Sequence, residues 1–208
     1  MQSGNELALL KDKIRERISE KRYIHSLGVE KCAVTLGKLC NVGPESELSY
    51  AALLHDITKE LGKDTQISLL KKFGILLTDT ELECEAVFHS YTAPLVIKSD
   101  FPSFSYENVL SAVKNHTVGD ENMSLFDEII FLSDYIEEGR TYQSSRELYD
   151  FVFSNMKVGD FKNNALVLHK ACLMATDYTI EHLMKKGVKI VEKTFLTRNA
   201  LISKILHS

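Results

Sequence analysis

Residues 29–40 read V-E-K-C-A-V-T-L-G-K-L-C, and Val29, Cys32, Ala33, Leu36, Leu39 and Cys40 fall at i, i+3, i+4, i+7, i+10 and i+11. That spacing lines one face of an α-helix; a strand would alternate its apolar residues at every second position. Asn41 and Gly43 follow at once and stop the helix. Working outward, the same period predicts helices over 6–21, 46–58, 64–73, 79–92, 105–116, 124–138, 145–156, 160–186 and 197–206. No convincing alternating strand occurs. Prolines stand only at 44, 94 and 102, so the chain beyond Pro102 lacks the strongest helix breaker. No Ser-, Gly- or Pro-rich linker and no fixed-period repeat divides it, and one all-α domain over 1–208 is expected.

Composition narrows the function. Of 208 residues, 44% are hydrophobic and 26% charged, which excludes disordered, collagen-like and disulfide-scaffold classes. With 25 Lys and Arg against 29 Asp and Glu, the net charge of −4 lacks the basic footprint of sequence-independent nucleic-acid binding. Any phosphate ligand must then be met by local cations. Cys32, Cys40, Cys84 and Cys172 form no C-x-x-C pair and are expected to be reduced core residues. No apolar run approaches the roughly 18 residues of a membrane span, and Met1 to Leu10 lacks the pattern of a secretory leader. A cytoplasmic protein without nucleic-acid or membrane partners is expected.

The histidines carry the chemistry. His55 follows Leu48, Ala51 and Ala52 at i+7, i+4 and i+3, so the helix that buries those residues turns His55 inward, with Asp56 beside it. His89 stands likewise behind Leu82 and Ala86, His116 behind Val109, Ala112 and Val113, and Asp134 continues the stripe Phe126, Ile130. Singly, an inward His is usually a hydrogen-bonded core residue and an Asp a cap. Together they are harder to dismiss, because a buried carboxylate requires a cation, a hydrogen-bond network or a metal. Imidazoles and carboxylates without cysteine suit iron, manganese, cobalt or zinc. Adjacent helical residues point about 100° apart, so His55 and Asp56 reach one ion only from a helix edge or a distorted turn. Lys59, three residues after Asp56, returns to the same face, and Arg140 stands six beyond Asp134 at an expected helix end. His169 and His182 have no acidic partner in this pattern and are assigned to packing or surface; His207 lies in the tail.

The ordered set His25, His55-Asp56, His89, His116 and Asp134 follows the pattern of HD-domain metal-dependent phosphohydrolases. Its flanks are R-Y-I-H-S-L-G-V-E at 22–30, L-L-H-D-I-T-K-E-L at 53–61, N-H-T-V-G at 115–119, N-M-S-L at 122–125 and S-D-Y-I-E-E-G-R at 133–140. With these, and with D-Y-T-I-E-H-L at 177–183, the chain resembles the YqeK family from about residue 11 to its end. Glu138 departs from a commoner Pro, and Val118 from a commoner small polar residue. The resemblance implies a single HD-domain helical bundle, with core motifs in 22–140 and helices of 145–206 packed on it. It implies a bacterial symmetrical bis(5′-nucleosyl)-tetraphosphatase that splits diadenosine tetraphosphate into two ADP. Iron is the implied cofactor, as one or two ions, with Mn, Co or Zn as substitutes.

Carried residue by residue, His25, His55, Asp56 and Asp134 would hold one metal. His89 and His116 would ligate a second ion or contact phosphate. Asp56, Lys59 and Arg140 are the expected catalytic residues, and His25, Lys59, His89, His116, Thr117 and Arg140 the substrate contacts. Phe88, Tyr91, Tyr135 and Tyr142 lie near enough to stack on adenine, although core packing suits them better. A homodimer is admitted. Two other readings stay open: an HD-type phosphatase of mononucleotides, and a non-catalytic helical module stabilised by its metal.

Overall fold

A computed structural model describes residues 2–207, and among these it contains helices and turns but no strand. The helices are α1 (Gln2–Arg15), α2 (Glu20–Cys40), α3 (Glu45–Leu54), α4 (Lys63–Lys72), α5 (Asp79–Glu83), α6 (Phe88–Asp100), α7 (Glu107–Asn115), α8 (Leu125–Ile136), α9 (Gln143–Asn155), α10 (Phe161–Lys186) and α11 (Glu192–Leu206). The all-α class expected from periodicity is what forms. α2 ends where the sequence indicates, with Asn41 in the left-handed region at φ 54° and its N–H returned to the carbonyls of Gly37 and Lys38.

α11 begins at Glu192, five residues before the expected 197, and three other differences shape the site. The helix expected over 6–21 stops at Arg15, because Ser19 starts a new one. Its hydroxyl accepts the Arg22 N–H at 3.3 Å, while its own N–H and O–H donate to Glu60 at 2.8 and 2.6 Å. That corner ties the start of α2 to the segment just after His55 and Asp56. The helix expected over 46–58 ends at Leu54 and tightens into i+3 turns, with Ile57 N–H on Leu54 O and Lys59 N–H on Asp56 O.

The helix expected over 79–92 is broken. A capping box of Thr78 and Glu81 opens α5, Cys84 leaves helical geometry at φ −103° and ψ 71°, and a 3-10 turn over Glu85–Val87 resets the phase before α6 begins. Leu82 is 44% exposed and Ala86 is exposed as well, so the expected stripe behind His89 does not exist. His89 is buried on a different face, with Phe88, Ala93 and Ile97 of α6. α6 also runs through Pro94 to Asp100; only the hydrogen bond that Pro94 would donate to Ser90 O is missing.

α2 packs most extensively on α3 and also on α8; α3 meets α7, and α7 meets α6 and α8. α10 lies across α8, α9 and α11. One apolar core runs from Leu10 and Ile14 of α1 to Leu201 of α11, with Leu54, Ile129 and Leu132 wholly enclosed. Full burial of each such side chain is worth about 2 kcal/mol. Three cysteines are buried and reduced as expected, but Cys84 is half-buried at the helix break rather than in the core.

Gly119 fixes how α7 hands over to the rest of the chain. It sits at φ 75°, and a Cβ there would lie 2.3 Å from Thr197 Cγ2 on α11. Thr197 cannot retreat freely, since its hydroxyl is held by Val118 O at 3.1 Å and Lys193 O at 2.9 Å. Gly119→Ala should therefore cost about 3 kcal/mol and lower the melting temperature by roughly 6–12 °C in circular dichroism. A melting temperature within a degree of wild type would show that the α7–α11 contact yields.

Candidate metal centre

The last carbonyls of a helix have no partner within the helix. At the end of α3 Ala52 O accepts His55 Nδ1–H at 2.6 Å, and at the end of α7 Val113 O accepts His116 Nδ1–H at 2.6 Å. A carbonyl only accepts, so each Nδ1 must carry the proton and each Nε2 faces inward. His25, near the start of α2, is aimed by the Glu137 carboxylate, 3.2 Å from its Nδ1. Histidines at helix ends are thus oriented by groups that the helices leave over.

These rings converge on two carboxylates. Asp134 Oδ1 lies 2.9 Å from His25 Nε2 and 3.7 Å from His55 Nε2. Asp56 Oδ2 is 3.5 Å from His55 Nε2, and Asp56 Oδ1 is 3.2 Å from His89 Nε2 and 3.6 Å from His116 Nε2. His55, His89, His116 and Asp56 are all at most 3% exposed. Two overlapping groups have ligand atoms close enough to hold a metal ion: His25, His55 and Asp134, and His55, Asp56 and His116. The tightened turn after α3 lets His55 and Asp56 share one pocket, as their adjacency demands.

The donor chemistry fits a divalent cation. His25 Nε2, His55 Nε2 and Asp56 Oδ1 are buried without a well-formed hydrogen bond. His89 Nε2 accepts from the Lys59 ammonium at 2.8 Å and faces His116 Nε2 at 2.9 Å. Two imidazole lone pairs at that separation repel unless a donor or cation bridges them. The Thr117 hydroxyl is 3.0 Å from both, but its single proton serves only one.

Burial opposes ionisation of Asp56, yet the His55 charge, with His116 and the Lys59 ammonium close by, holds its pKa well below the usual carboxylate value. Asp134 is held low against the same penalty by His25 and Arg140. Burial keeps the His89 and His116 imidazoles below their ordinary pKa, and the close approach of His116 and of the Lys59 ammonium adds to the effect at His89. For His55 the nearby Asp56 and Asp134 outweigh burial and raise it.

Comparison with known proteins places this geometry. The HD domain family matches residues 22–139, which contain every residue of the cluster. The chain belongs to the HD-domain family. The symmetrical bis(5′-nucleosyl)-tetraphosphatase of Staphylococcus aureus is 30% identical over 182 residues, covering 86% of each chain. The Bacillus subtilis protein of the same name is 28% identical over 193 residues, 91% of this chain and 94% of that one. A crystal structure from Clostridium acetobutylicum, described as an HD superfamily hydrolase involved in NAD metabolism, superposes with a TM-score of 0.82 at 32% identity. It covers 95% of this chain and 97% of that one. The protein is an enzyme with the HD hydrolase fold, as its motif order indicated.

The HD centre brings together His25, His55, Asp56, Lys59, His89, His116, Thr117, Asp134 and Arg140, and three further residues stand beside them. Arg22 Nη1 contacts Asp56 Oδ2 at 2.5 Å, while its Nε is buried without a partner. Glu137 orients His25 and also accepts the Gly139 N–H at 2.6 Å. Lys21 joins Arg22, His25 and Arg140 in the lining of a cavity of about 520 Å³. Arg140 holds Asp134 twice, from Nη2 to Oδ1 at 2.5 Å and from Nε to the backbone oxygen at 2.8 Å.

Lys59 Nζ is 3.8 Å from Asp56 Oδ1. Arg22 and Glu137 stand three residues from His25 and Asp134 respectively, so the helical spacing that exposed Lys59 could have found them too. His169 does have an acidic partner: its Nδ1 lies 2.6 Å from Glu128 Oε2, and Lys204 Nζ is 2.6 Å from Glu128 Oε1. That ion network braces α8 against α10 and α11, away from the HD cluster. Among the described residues no helix is long and apolar enough to cross a membrane.

Mn(II) added to chelator-treated protein should raise the melting temperature in a concentration-dependent way, by about 2.7 kcal/mol of stabilisation at a hundredfold excess over its Kd. Asp56→Ala should abolish the shift. His169→Ala should keep the shift while costing about 1–3 kcal/mol of intrinsic stability, because Glu128 loses one of its two neighbours. An undiminished shift in Asp56→Ala would place the ion elsewhere.

Proposed function

We propose that this HD enzyme hydrolyses diadenosine tetraphosphate symmetrically into two molecules of ADP, in the cytoplasm and with iron as its resident metal. The observation that carries the reading is the combination of two overlapping His/Asp groups with three cations, Arg22, Lys59 and Arg140, set around them. The names of the relatives from Staphylococcus aureus and Bacillus subtilis support the substrate.

His25, His55, Asp56 and Asp134 would hold one ion; His89 and His116 would either ligate a second, with Asp56 between them, or contact phosphate. Manganese, cobalt or zinc would be tolerated in its place. Bound there, a divalent ion supplies Lewis-acid polarisation of a phosphoryl oxygen and an acidified water as nucleophile. The residues of the chain do the rest. Glu137 keeps His25 in the tautomer that presents Nε2, and Ala52 O and Val113 O do so for His55 and His116.

Arg22 has a buried N–H in need of an acceptor, and Arg140 uses only part of its five-donor fork on Asp134. Both face the 520 Å³ cavity, where they would grip the tetraphosphate and neutralise charge as the bridge opens. Lys59, whose pKa burial lowers, stands between Asp56 and His89, and Thr117 offers a hydroxyl beside the same rings. Both are placed to hydrogen-bond a phosphoryl oxygen.

Anion-exchange analysis of anaerobic, iron-loaded protein should find ADP as the sole product of diadenosine tetraphosphate. AMP plus ATP would mean asymmetric attack, and phosphate released from AMP or dAMP alone would make the protein a nucleotidase. Asp56→Ala should lose metal and turnover together. Lys59→Ala and Arg140→Ala should retain metal yet lose on the order of 100-fold in turnover, and metal loss equal to that of Asp56→Ala would reassign them as parts of the ion site.

A further inference from the structure

Of the four aromatic residues near the motifs, three are occupied in the fold. Phe88 is fully buried, Tyr91 hydrogen-bonds Glu81, and the Tyr135 hydroxyl meets Ser144 Oγ at 3.0 Å. Tyr142 differs from what core packing would require, for it is 68% exposed. It borders two cavities at once. One is the cationic cavity with Arg22 and Arg140; the other, of about 300 Å³, is lined by Asp134, Arg140, Tyr142, Tyr178 and His182. Tyr178 and His182 stand four residues apart on one face of α10, and the Tyr178 hydroxyl is anchored to Glu147 at 3.2 Å. Ser144, Ser145 and Thr179 add a few polar groups to the lining.

We propose that this 300 Å³ cavity is a nucleobase subsite, in which Tyr142 stacks on the base of a nucleotide whose phosphates lie on Arg140 and Arg22. Size, aromatic walls and the hydroxyl and imidazole groups set among them match a planar heterocycle with hydrogen-bonding edges. Arg140 lines both cavities, so a nucleotide held by it would lie with its base in this one and its phosphates in the other. Aromatic stacking accepts any base, so the subsite selects nucleotides over bare polyphosphates rather than adenine over guanine. His182, expected to be a packing or surface residue, gains a role as one wall. The inference rests on the phosphate-binding reading above but not on which phosphate bond is cut.

Calorimetric titration of the Mn(II)-loaded full chain with ADP and with inorganic pyrophosphate, which shares the phosphates but lacks the base, tests it. Tyr142→Ala should weaken ADP roughly tenfold and leave pyrophosphate unchanged, while Tyr142→Phe binds both as wild type does. In turnover, Tyr142→Ala should raise KM for diadenosine tetraphosphate by a similar factor with kcat retained. Unchanged ADP affinity in Tyr142→Ala, or an equal loss for pyrophosphate, overturns the subsite; so does a wild-type protein that binds pyrophosphate but not ADP. A protein that shows the ADP-selective loss yet leaves diadenosine tetraphosphate intact keeps the subsite and overturns the proposed reaction instead.

Discussion

The Asp56 carboxylate is 2% exposed inside a helical protein, and its burial sets terms that the surrounding elements meet. An uncompensated ion there would cost several kcal/mol, a large share of the roughly 5–15 kcal/mol by which a domain of this kind is stable. Compensation arrives from Arg22 on α2, from Lys59 on the turn after α3 and from His55 at the end of that helix. Each donor must come within a few ångströms, so the helices have to bring particular ends together. The break before α6, the Ser19–Glu60 corner and the arrest of α3 at Leu54 can be understood as meeting that demand.

Helix termini make this arrangement economical. A helix interior presents side chains but no free backbone groups, whereas its last turn leaves carbonyls in search of donors. His55 and His116 each take one such carbonyl with Nδ1 and are thereby left with Nε2 directed at the carboxylates. A backbone carbonyl cannot rotate away or change protonation state as an Asn or Asp could. The orientation of the two rings is therefore built into the points at which α3 and α7 end, and Gly119, just past α7, belongs to the same device.

Much of this was legible in the residues. Apolar spacing located most helices and correctly turned His55, His116 and Asp134 inward, since their neighbours Ala52, Val113 and Ile130 are wholly buried. His89 came out inward for the wrong reason: the stripe through Leu82 and Ala86 assumed a continuous helix that Cys84 interrupts. Backbone breaks of that kind follow from tertiary packing, which no local pattern contains. Pairings over long separations were equally hidden. Glu128 meets His169 across 41 residues and Glu137 meets His25 across 112, and a buried carboxylate on an apolar helix face signals only that some partner exists. Tyr142 was misjudged because aromatic content alone does not distinguish a core ring from an exposed one.

The balance of charge also bears on what the site can accept. The chain carries a net −4, yet Lys21, Arg22 and Arg140 gather in one cavity. These cations are not free-standing: Glu60 and Glu137 line the same cavity, and Glu138 beside it pairs with Lys31 at 2.8 Å. Glu137 is buried and lies 3.9 Å from Arg140 Nε, so it steadies that cation from within the fold. On the proposed reading a short polyphosphate would enter the cavity and present its oxygens to the Arg22 guanidinium and the unused edge of the Arg140 fork. The phosphates would then lie in this cavity and the base of the same ligand in the second one, which Arg140 also lines.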